Sequence, residues 1–225
     1  MNTTLLMPEQ SQDPSLGAST EHTINSMIDD LITSLPDIKQ LTAEERRGII
    51  ARYASVLEGN FIYWMTATLL AVQSEDARPI LLDNLNEEVR DAHPAMMRRF
   101  AIAAHAFPTQ SDAFAVNDDL TNMRLFLGRL SGVQSLLTMA FFEGFIQRFM
   151  GYLAALAKAQ GSEDMEYTDV HGVCDIAHTA GLFRAFEVEK AVNPIDSEKD
   201  LLEGVRLLRT LIETIVFSNQ PALAA

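Results

Sequence analysis

The chain is poor in cysteine, tryptophan and basic residues. Its 225 residues include a single cysteine, Cys174, and a single tryptophan. One thiol excludes an internal disulfide and any metal or cluster site built from several cysteines, and it fits a reducing, cytoplasmic environment. Lysine and arginine together number 17 against 31 acidic residues, which gives a formal charge of −14. Because so acidic a surface repels a phosphate backbone, nucleic acid is not expected as a partner.

Proline and glycine are also scarce, with 8 and 11 residues, and no low-complexity linker divides the chain. Hydrophobic residues make up 48% of the sequence, which is enough for one substantial core. We therefore predict a single domain over residues 22–220. A polar, mobile leader is expected over residues 1–21 and a flexible tail over residues 221–225.

The most apolar run of the chain, from Val133 to Ala157, has the length of a membrane-spanning helix. It carries Glu143, Gln147 and Arg148 near its middle. Charge at the centre of a bilayer is costly, so we predict a buried helix here and no membrane partner.

Apolar residues recur with the helical period through nearly the whole chain, and no segment alternates as a strand does. The clearest helix start is Thr42 with Glu45 three residues later, a capping box. A break is predicted near Pro94, because the residue before a proline disfavours the α conformation, and Ser162 is predicted as another N-cap. About seven helices are expected, over residues 23–34, 42–73, 77–106, 119–129, 131–160, 162–190 and 197–219, with a loop-like stretch over residues 107–118.

The most informative motif places His171, Asp175 and His178 late in the chain. Their spacings of four and three residues put all three side chains on one face of a helix. Two imidazoles and a carboxylate suit a first-row metal such as iron. The alternative is a solvated polar face with chance spacing. Cys174 is predicted to point about 100° away from this face and to be a small buried residue.

Two glutamates, Glu58 and Glu143, lie inside apolar runs. A buried carboxylate is costly unless it is paired with a cation or bound to a metal. One interpretation pairs these glutamates with Arg52 and Arg148. The other has both glutamates facing one metal centre.

A third group contains Glu87, Glu88 and His93. A spacing of five or six residues would separate a glutamate from the histidine on an unbroken helix, but a distortion near Pro94 allows them to meet. Alone, this group is typical of an exposed surface, and the sequence leaves open which glutamate is the ligand. The combined candidate metal ligands are Glu58, Glu87, Glu88, His93, Glu143, His171, Asp175 and His178.

Such a set is too large for one metal ion and suits two, as in a carboxylate-bridged di-iron centre. The Glu-x-x-His motifs of ferritin-like bundles do not occur in this sequence. The motif Asn-Leu-x-Glu-Glu-x-x-x-x-His ends at His93, and Tyr-x-x-x-His-x-x-x-Asp-x-x-His runs from Tyr167 to His178. With Glu58 and Glu143, these motifs resemble the heme-oxygenase-like di-iron oxidases and oxygenases over about residues 51–189. The family often places its glutamate seven residues before the histidine, where this chain has Asn86.

The resemblance implies a two-layer helical bundle, a non-heme centre of two iron ions and O₂ as co-substrate. It also implies oxidation of a small molecule, an amino acid or its derivative ahead of a fatty acid, in natural-product biosynthesis. N-oxygenation, oxidative C–C cleavage, desaturation and nitrile formation are among the reactions implied. An external electron donor and a homodimer are both compatible with it.

Aromatic residues beside the motifs are candidate walls of a substrate pocket, although most aromatic residues at helical spacing form the core. These candidates are Tyr63, Trp64, Phe141, Phe142, Tyr167 and Phe183. An amino-acid substrate would need an arginine for its carboxylate, and a surface role is the alternative for each. The arginine candidates are Arg98, Arg148 and Arg184.

Two other classes of function compete with the oxidase. One is a metal-free protein on the same scaffold that binds or processes a vitamin-like small molecule, for which Cys174 is badly placed as a nucleophile. The other is a non-catalytic helical interaction module whose buried carboxylates are ion-paired. Iron storage is disfavoured, because ferritin-type ligands are lacking.

Overall fold

The computed structural model describes residues 14–195 and 197–218. These residues form ten helices and contain no strand, which confirms the predicted all-α class. The helices are α1 (Pro14–Thr33), α2 (Ala43–Ala71), α3 (Ala77–Arg90), α4 (His93–Ala103), α5 (Gln110–Ala115), α6 (Asn117–Leu127), α7 (Gly132–Ala159), α8 (Glu166–Val192), α9 (Glu198–Leu201) and α10 (Glu203–Phe217).

Local signals in the sequence place two of the boundaries correctly. Thr42 caps α2 through both bonds of a capping box: its hydroxyl accepts from the Glu45 N–H, and the Glu45 carboxylate accepts from the Thr42 N–H. The predicted break near Pro94 is confirmed, since α3 ends at Arg90 and Pro94 is the second residue of α4.

Three additional helices raise the number from seven to ten. The predicted helix over residues 77–106 divides into α3 and α4. The stretch predicted as a loop contains α5, which has its own capping box between Thr109 and Asp112. The last predicted helix divides at Leu202 into α9, whose N-cap is Ser197, and α10.

Two boundary predictions are wrong. Ser162 does not cap α8, which begins four residues later at Glu166. The Ser162 hydroxyl instead accepts from the Asp164 N–H in a local turn. α1 begins at Pro14 and not near residue 23, so it includes residues 14–21 of the predicted leader, and proline is favoured at the first helical position. The rest of the predicted leader and the predicted tail lie outside the described residues.

α7 is the central helix because it is apolar nearly all round. It packs along α8 and against α2, α10 and α1. Phe142 of α7 meets Trp64 of α2 edge to face, with ring centroids 5.4 Å apart. Over residues 14–195 and 197–218, no helix is both long enough and apolar enough to cross a membrane.

The shorter helices α3 and α4 pack across α2 and α8. This arrangement brings four chain segments, from α3, α4, α7 and α8, to one place beside the core. Polar side chains from all four segments are buried there. The two-layer arrangement of the heme-oxygenase-like fold stays a prediction.

Candidate metal centre

Four helices bring six of the predicted ligands into one buried group. α3 supplies a glutamate, α4 a histidine, α7 a second glutamate and α8 two histidines and an aspartate. None of the six is more than 9% exposed. The members are Glu88, His93, Glu143, His171, Asp175 and His178.

The first half of this group joins Glu88, His93 and His171. The Nδ1 atom of His93 lies 2.8 Å from Oε1 of Glu88, and the two imidazole rings meet edge to face with centroids 4.5 Å apart. His171 donates its Nδ1 hydrogen to the backbone oxygen of Tyr167 at 2.8 Å. The Nε2 atom of His171 is thereby left as the free nitrogen. One ligand atom from each of the three side chains lies within 4.8 Å of the others, a spacing that suits a single ion.

The interruption between helices α3 and α4 allows the first half of the group to form. Ala92 adopts the left-handed conformation with φ 55°, which separates α3 from α4. Such a conformation is unfavourable for a residue with a Cβ atom, so it is held by its surroundings. Because the chain turns here, His93 reaches back to Glu88 despite a spacing that an unbroken helix would not permit.

The second half joins Glu143, Asp175 and His178. The Nδ1 atom of His178 lies 3.6 Å from Oε2 of Glu143 and 3.6 Å from Oδ1 of Asp175. Asn84 of α3 donates its side-chain N–H to Oε1 of Glu143 at 2.7 Å. Asp175 also lines the cavity beside the first half, so it stands between the two halves.

Cys174 is closer to this half than its position in the sequence predicts. Its Sγ atom donates to Oδ1 of Asp175 at 3.3 Å, so the prediction that the thiol points away from the motif is wrong. The ideal helical rotation of about 100° per residue describes where a side chain leaves the backbone and does not prevent contact between adjacent side chains. Burial raises the pKa of the thiol, and the carboxylate of Asp175 raises it further.

Three polar atoms in this half are buried and have no hydrogen-bond partner in the described part of the chain. They are Oε2 of Glu143, Oδ2 of Asp175 and Nδ1 of His178. Buried polar atoms are normally satisfied, so each calls for an explanation. Carboxylate oxygens and an imidazole nitrogen that share one small region fit a bound metal ion.

Burial and neighbouring charges shift the pKa values of several residues in the group. Burial raises the pKa of the Glu143 carboxyl well above its ordinary range, and the nearby Asp175 carboxylate adds to the effect. Burial disfavours the charged form of His178, yet the surrounding carboxylates outweigh it and raise its pKa to about 9. Burial likewise opposes charge on His93, but its hydrogen bond to Glu88 leaves its pKa raised.

His171 differs from the other two histidines of the group. Burial lowers its pKa, and the nearby carboxylates only partly offset that effect. His171 is therefore neutral at pH 7 and available as a ligand without losing a proton.

The two adjacent glutamates of α3 play different parts. Glu88 is 3% exposed and meets His93, whereas the side chain of Glu87 is 43% exposed and accepts from Nε2 of His178 at 2.8 Å. Glu87 thus contacts the group from its edge. Of the two, Glu88 alone belongs to the buried group, and Glu87 orients His178 through this hydrogen bond.

Glu58 is not brought into the group. Its carboxylate accepts from the Nε atom of Arg98 at 2.7 Å, and a quarter of its side chain is exposed. The pair links α2 to α4 at the surface. The ligand role of Glu58 stays a prediction.

The ion-pair interpretation of the buried glutamates does not hold for Glu143. Arg52 donates to the backbone oxygen of Ile215 at 2.8 Å, and Arg148 pairs with Asp29 at 2.6 Å. The hydrogen bond that Glu143 receives comes from a neutral amide. Its charge is therefore not balanced by either arginine.

A narrow cavity of about 20 Å³, with room for little more than one water molecule, opens onto the first half. Its walls are apolar except at the ligands, and no arginine or lysine is among the lining residues. Tyr167 is the one aromatic candidate that lines it, and its hydroxyl hydrogen-bonds that of Tyr53 at 3.0 Å. The lining residues are Leu57, Phe61, Ile62, Glu88, His93, Pro94, Met97, Ile146, Tyr167, His171 and Asp175.

The other candidate pocket residues lie elsewhere. Four aromatic residues are core or surface residues outside the cavity: Trp64, Phe141 and Phe142 are fully buried, and Tyr63 is 46% exposed. Phe183 is buried and also does not line the cavity. None of the three arginine candidates lines it either: Arg98 and Arg148 are in ion pairs, and Arg184 is exposed.

Sequence reasoning missed Asn84 as the partner of Glu143, although it begins the motif that ends at His93. An asparagine on the same helix face as a candidate ligand would have been the signal, since Asn84 and Glu88 are four residues apart. The aliphatic wall residues carried no such signal.

Comparison with known proteins adds no family to this description. No protein-family model and no curated protein matches the chain. The case for a function therefore depends on the geometry of the centre and on the chemistry of its residues.

Proposed function

We propose that the protein binds two iron ions in this centre and uses them with O₂ to oxidise a small molecule. The observation that carries the proposal is a buried group of three carboxylates and three imidazoles with unpartnered donor atoms. A structural role would pair such atoms, whereas a metal centre needs them free.

The six residues divide naturally between two ions. Glu88, His93 and His171 would hold the first, and Glu143 and His178 the second. Asp175 lies 3.6 Å from His178 and also lines the cavity beside the first half, so it would bridge the two ions. Imidazole and carboxylate donors without a full set of sulfur ligands suit iron, which in pairs supplies electrons and a binding place for O₂.

The surrounding residues fix the ligands in place. The backbone oxygen of Tyr167 orients His171, Glu87 orients His178, and Asn84 holds one oxygen of Glu143. Hydrogen bonds of this kind set the tautomer and direction of a ligand before the metal arrives. A proton on His178 partly balances the carboxylates until then, since its pKa is about 9.

The cavity indicates which part of a substrate would reach the centre. Leu57, Phe61, Met97 and Ile146 supply aliphatic and aromatic surface, and no arginine or lysine lines the cavity. We expect an apolar part of the substrate to approach these walls after the narrow cavity widens on binding. An amino-acid substrate remains a proposal that comes from the resemblance alone.

The test is an anaerobic titration of the full chain with Fe(II), followed by exposure to O₂ and observed by visible absorbance and Mössbauer spectroscopy. Wild type is expected to bind two iron ions per chain and to yield an antiferromagnetically coupled pair of ferric ions. Asp175→Asn, which keeps the size of the side chain and removes its charge, is expected to lose the coupled pair.

Glu187→Gln is the matched control, because it removes an exposed carboxylate from the same helix. It should behave as wild type. A folded wild-type protein that takes up no iron, or whose iron does not react with O₂, would contradict the proposal. In the first case metal-free binding of a small molecule in the apolar cavity would be the better account.

A further inference from the structure

Cys174 stands beside the second half of the centre with a free thiol. Its sulfur, a carboxylate oxygen of Asp175 and a ring nitrogen of His178 all lie within 4.8 Å of one another. Cys174 and His178 are four residues apart on α8, so their side chains leave the helix on the same side. The chain thus places a sulfur, an oxygen and a nitrogen donor together.

A second observation, unpartnered buried atoms next to the cysteine, also indicates a bound ligand at this group. Asp175, His178 and Glu143 are at least nine-tenths buried, and each has one side-chain atom without a hydrogen-bond partner. The Nδ1 atom of His178 faces both carboxylates at 3.6 Å. Asp175 and His178, which carry two of these unsatisfied atoms, are the same side chains that lie within 4.8 Å of the sulfur.

We propose that Cys174 supplies a thiolate ligand to the ion held by Asp175, His178 and Glu143. The inference rests on the proposed metal centre and adds a donor that the resemblance does not imply. On binding, the S–H bond breaks, a sulfur–metal bond forms and the proton leaves to solvent, with no oxidation or reduction. The thiol now donates to Asp175, and that contact would be exchanged for the metal.

A sulfur donor would make the two metal positions unequal. The half formed by Glu88, His93 and His171 offers oxygen and nitrogen donors, whereas the other half would add a soft thiolate. Zinc and cobalt, which accept thiolates readily, should therefore fill the Cys174 half first. Adding the metal ion one equivalent at a time measures the order in which the two positions fill.

The experiment loads the full chain stepwise with Co(II) and, separately, with Zn(II). The first equivalent of Co(II) should produce thiolate-to-cobalt charge-transfer absorption in the near ultraviolet, and the second should not increase it. X-ray absorption of the zinc form should show a sulfur shell at about 2.3 Å beside the nitrogen and oxygen shell at about 2.0 to 2.2 Å. Cys174→Ser and Cys174→Ala should lose both signals and keep the far-ultraviolet circular dichroism of wild type.

The possible results distinguish failure of the thiolate-ligand inference from failure of the proposed metal centre. Wild type that binds metal through nitrogen and oxygen alone overturns the thiolate ligand and leaves the metal centre standing. A charge-transfer band that persists in Cys174→Ser overturns it as well. Folded wild type that binds neither ion overturns both, and the two failures are therefore distinguished in one series of measurements.

Discussion

The Nε2 atom of His178 lies 2.8 Å from Oε2 of Glu87. This bond fixes the imidazole so that Nδ1 faces Glu143 and Asp175, each at 3.6 Å. Histidines that bind metals are commonly oriented through their other nitrogen in this manner. Glu88, the next residue of α3, is turned inward to a different histidine, so adjacent glutamates serve the centre in different ways.

Exchange of each glutamate for glutamine should separate these roles. Glu88→Gln removes a proposed ligand and is expected to lose one of the two bound ions. Glu87→Gln removes only the orienting carboxylate and should keep both ions with an affinity lowered about 10- to 100-fold. Metal analysis after dialysis and titration against a competing chelator measure the two effects. Retention of both ions by Glu88→Gln, with loss of one by Glu87→Gln, would reverse the assignment.

Glu143→Gln should have opposite effects on the metal-free and the metal-loaded protein. Without metal, the Glu143 carboxyl is buried beside Asp175, and its raised pKa shows that its charge is unfavourable there. The neutral amide keeps the shape and still accepts from Asn84. We expect the free energy of unfolding without metal to rise by about 1 to 3 kcal/mol.

The same variant should lose the stabilisation that metal provides. An ion bound only by the folded state adds about 2.7 kcal/mol at 100 times its dissociation constant, and Glu143→Gln removes one of the ligands. Urea denaturation with and without a chelator measures both effects. Glu187→Gln, at an exposed position of α8, should change neither by more than about 0.5 kcal/mol. A metal-free Glu143→Gln protein less stable than wild type would refute the metal-centre explanation of this burial.

Much of the fold could be predicted because its signals are local. The capping box at Thr42 and the long apolar run of α7 depend on residues near one another in sequence. The face shared by His171, Asp175 and His178 follows from helical geometry alone. These features can therefore be predicted before any tertiary contact is known.

The features that the sequence did not predict depend on contacts between segments distant in the chain. Glu58 lies in an apolar run, yet the packing of α4 on α2 supplies Arg98 as its partner. Glu189 is adjacent to a lysine and resembles a surface residue in sequence. It is fully buried and accepts from the backbone N–H groups of Gln73 and Ser74, which no local pattern encodes.

A pair of glycine substitutions tests the packing of the core independently of the metal. An ideal Cβ atom on Gly204 would overlap the Thr138 hydroxyl and the Phe126 ring, so α10 approaches its neighbours through this glycine. Gly204→Ala should lower the free energy of unfolding by about 1 to 3 kcal/mol. Gly151→Ala, exposed on α7 with open space around it, should raise the free energy of unfolding by about 0.5 to 1 kcal/mol. Equal effects at the two positions, measured by urea denaturation, would show that α10 does not pack as described.

Without metal, the protein should become less stable as the pH rises from 7 to 9. The folded-state pKa of His178 is about 9, above its ordinary value of about 6.5, so its protonated form stabilises the fold at pH 6.5 and below. That contribution is lost as the pH rises through 9. The raised pKa values of His93 and Glu143 also make the folded state less stable as the pH rises. His171, whose pKa is lowered, is already neutral across this window.

Metal affinity should change in the opposite direction over the same window. An ion can bind His178 only after the proton leaves, so between pH 6 and 8 the dissociation constant for Zn(II) should fall at least about tenfold per pH unit. Near pH 9 the contribution of His178 to this dependence should end, whereas the Cys174 thiol, whose pKa is raised, should keep the affinity rising. Zinc titrations across this range measure the affinity, and urea denaturation in the presence of a chelator measures the stability. His178→Gln should remove most of the stability change, whereas His22→Gln, at an exposed position, should leave it intact. An affinity that does not vary with pH would show that no proton is displaced and that His178 is not a ligand.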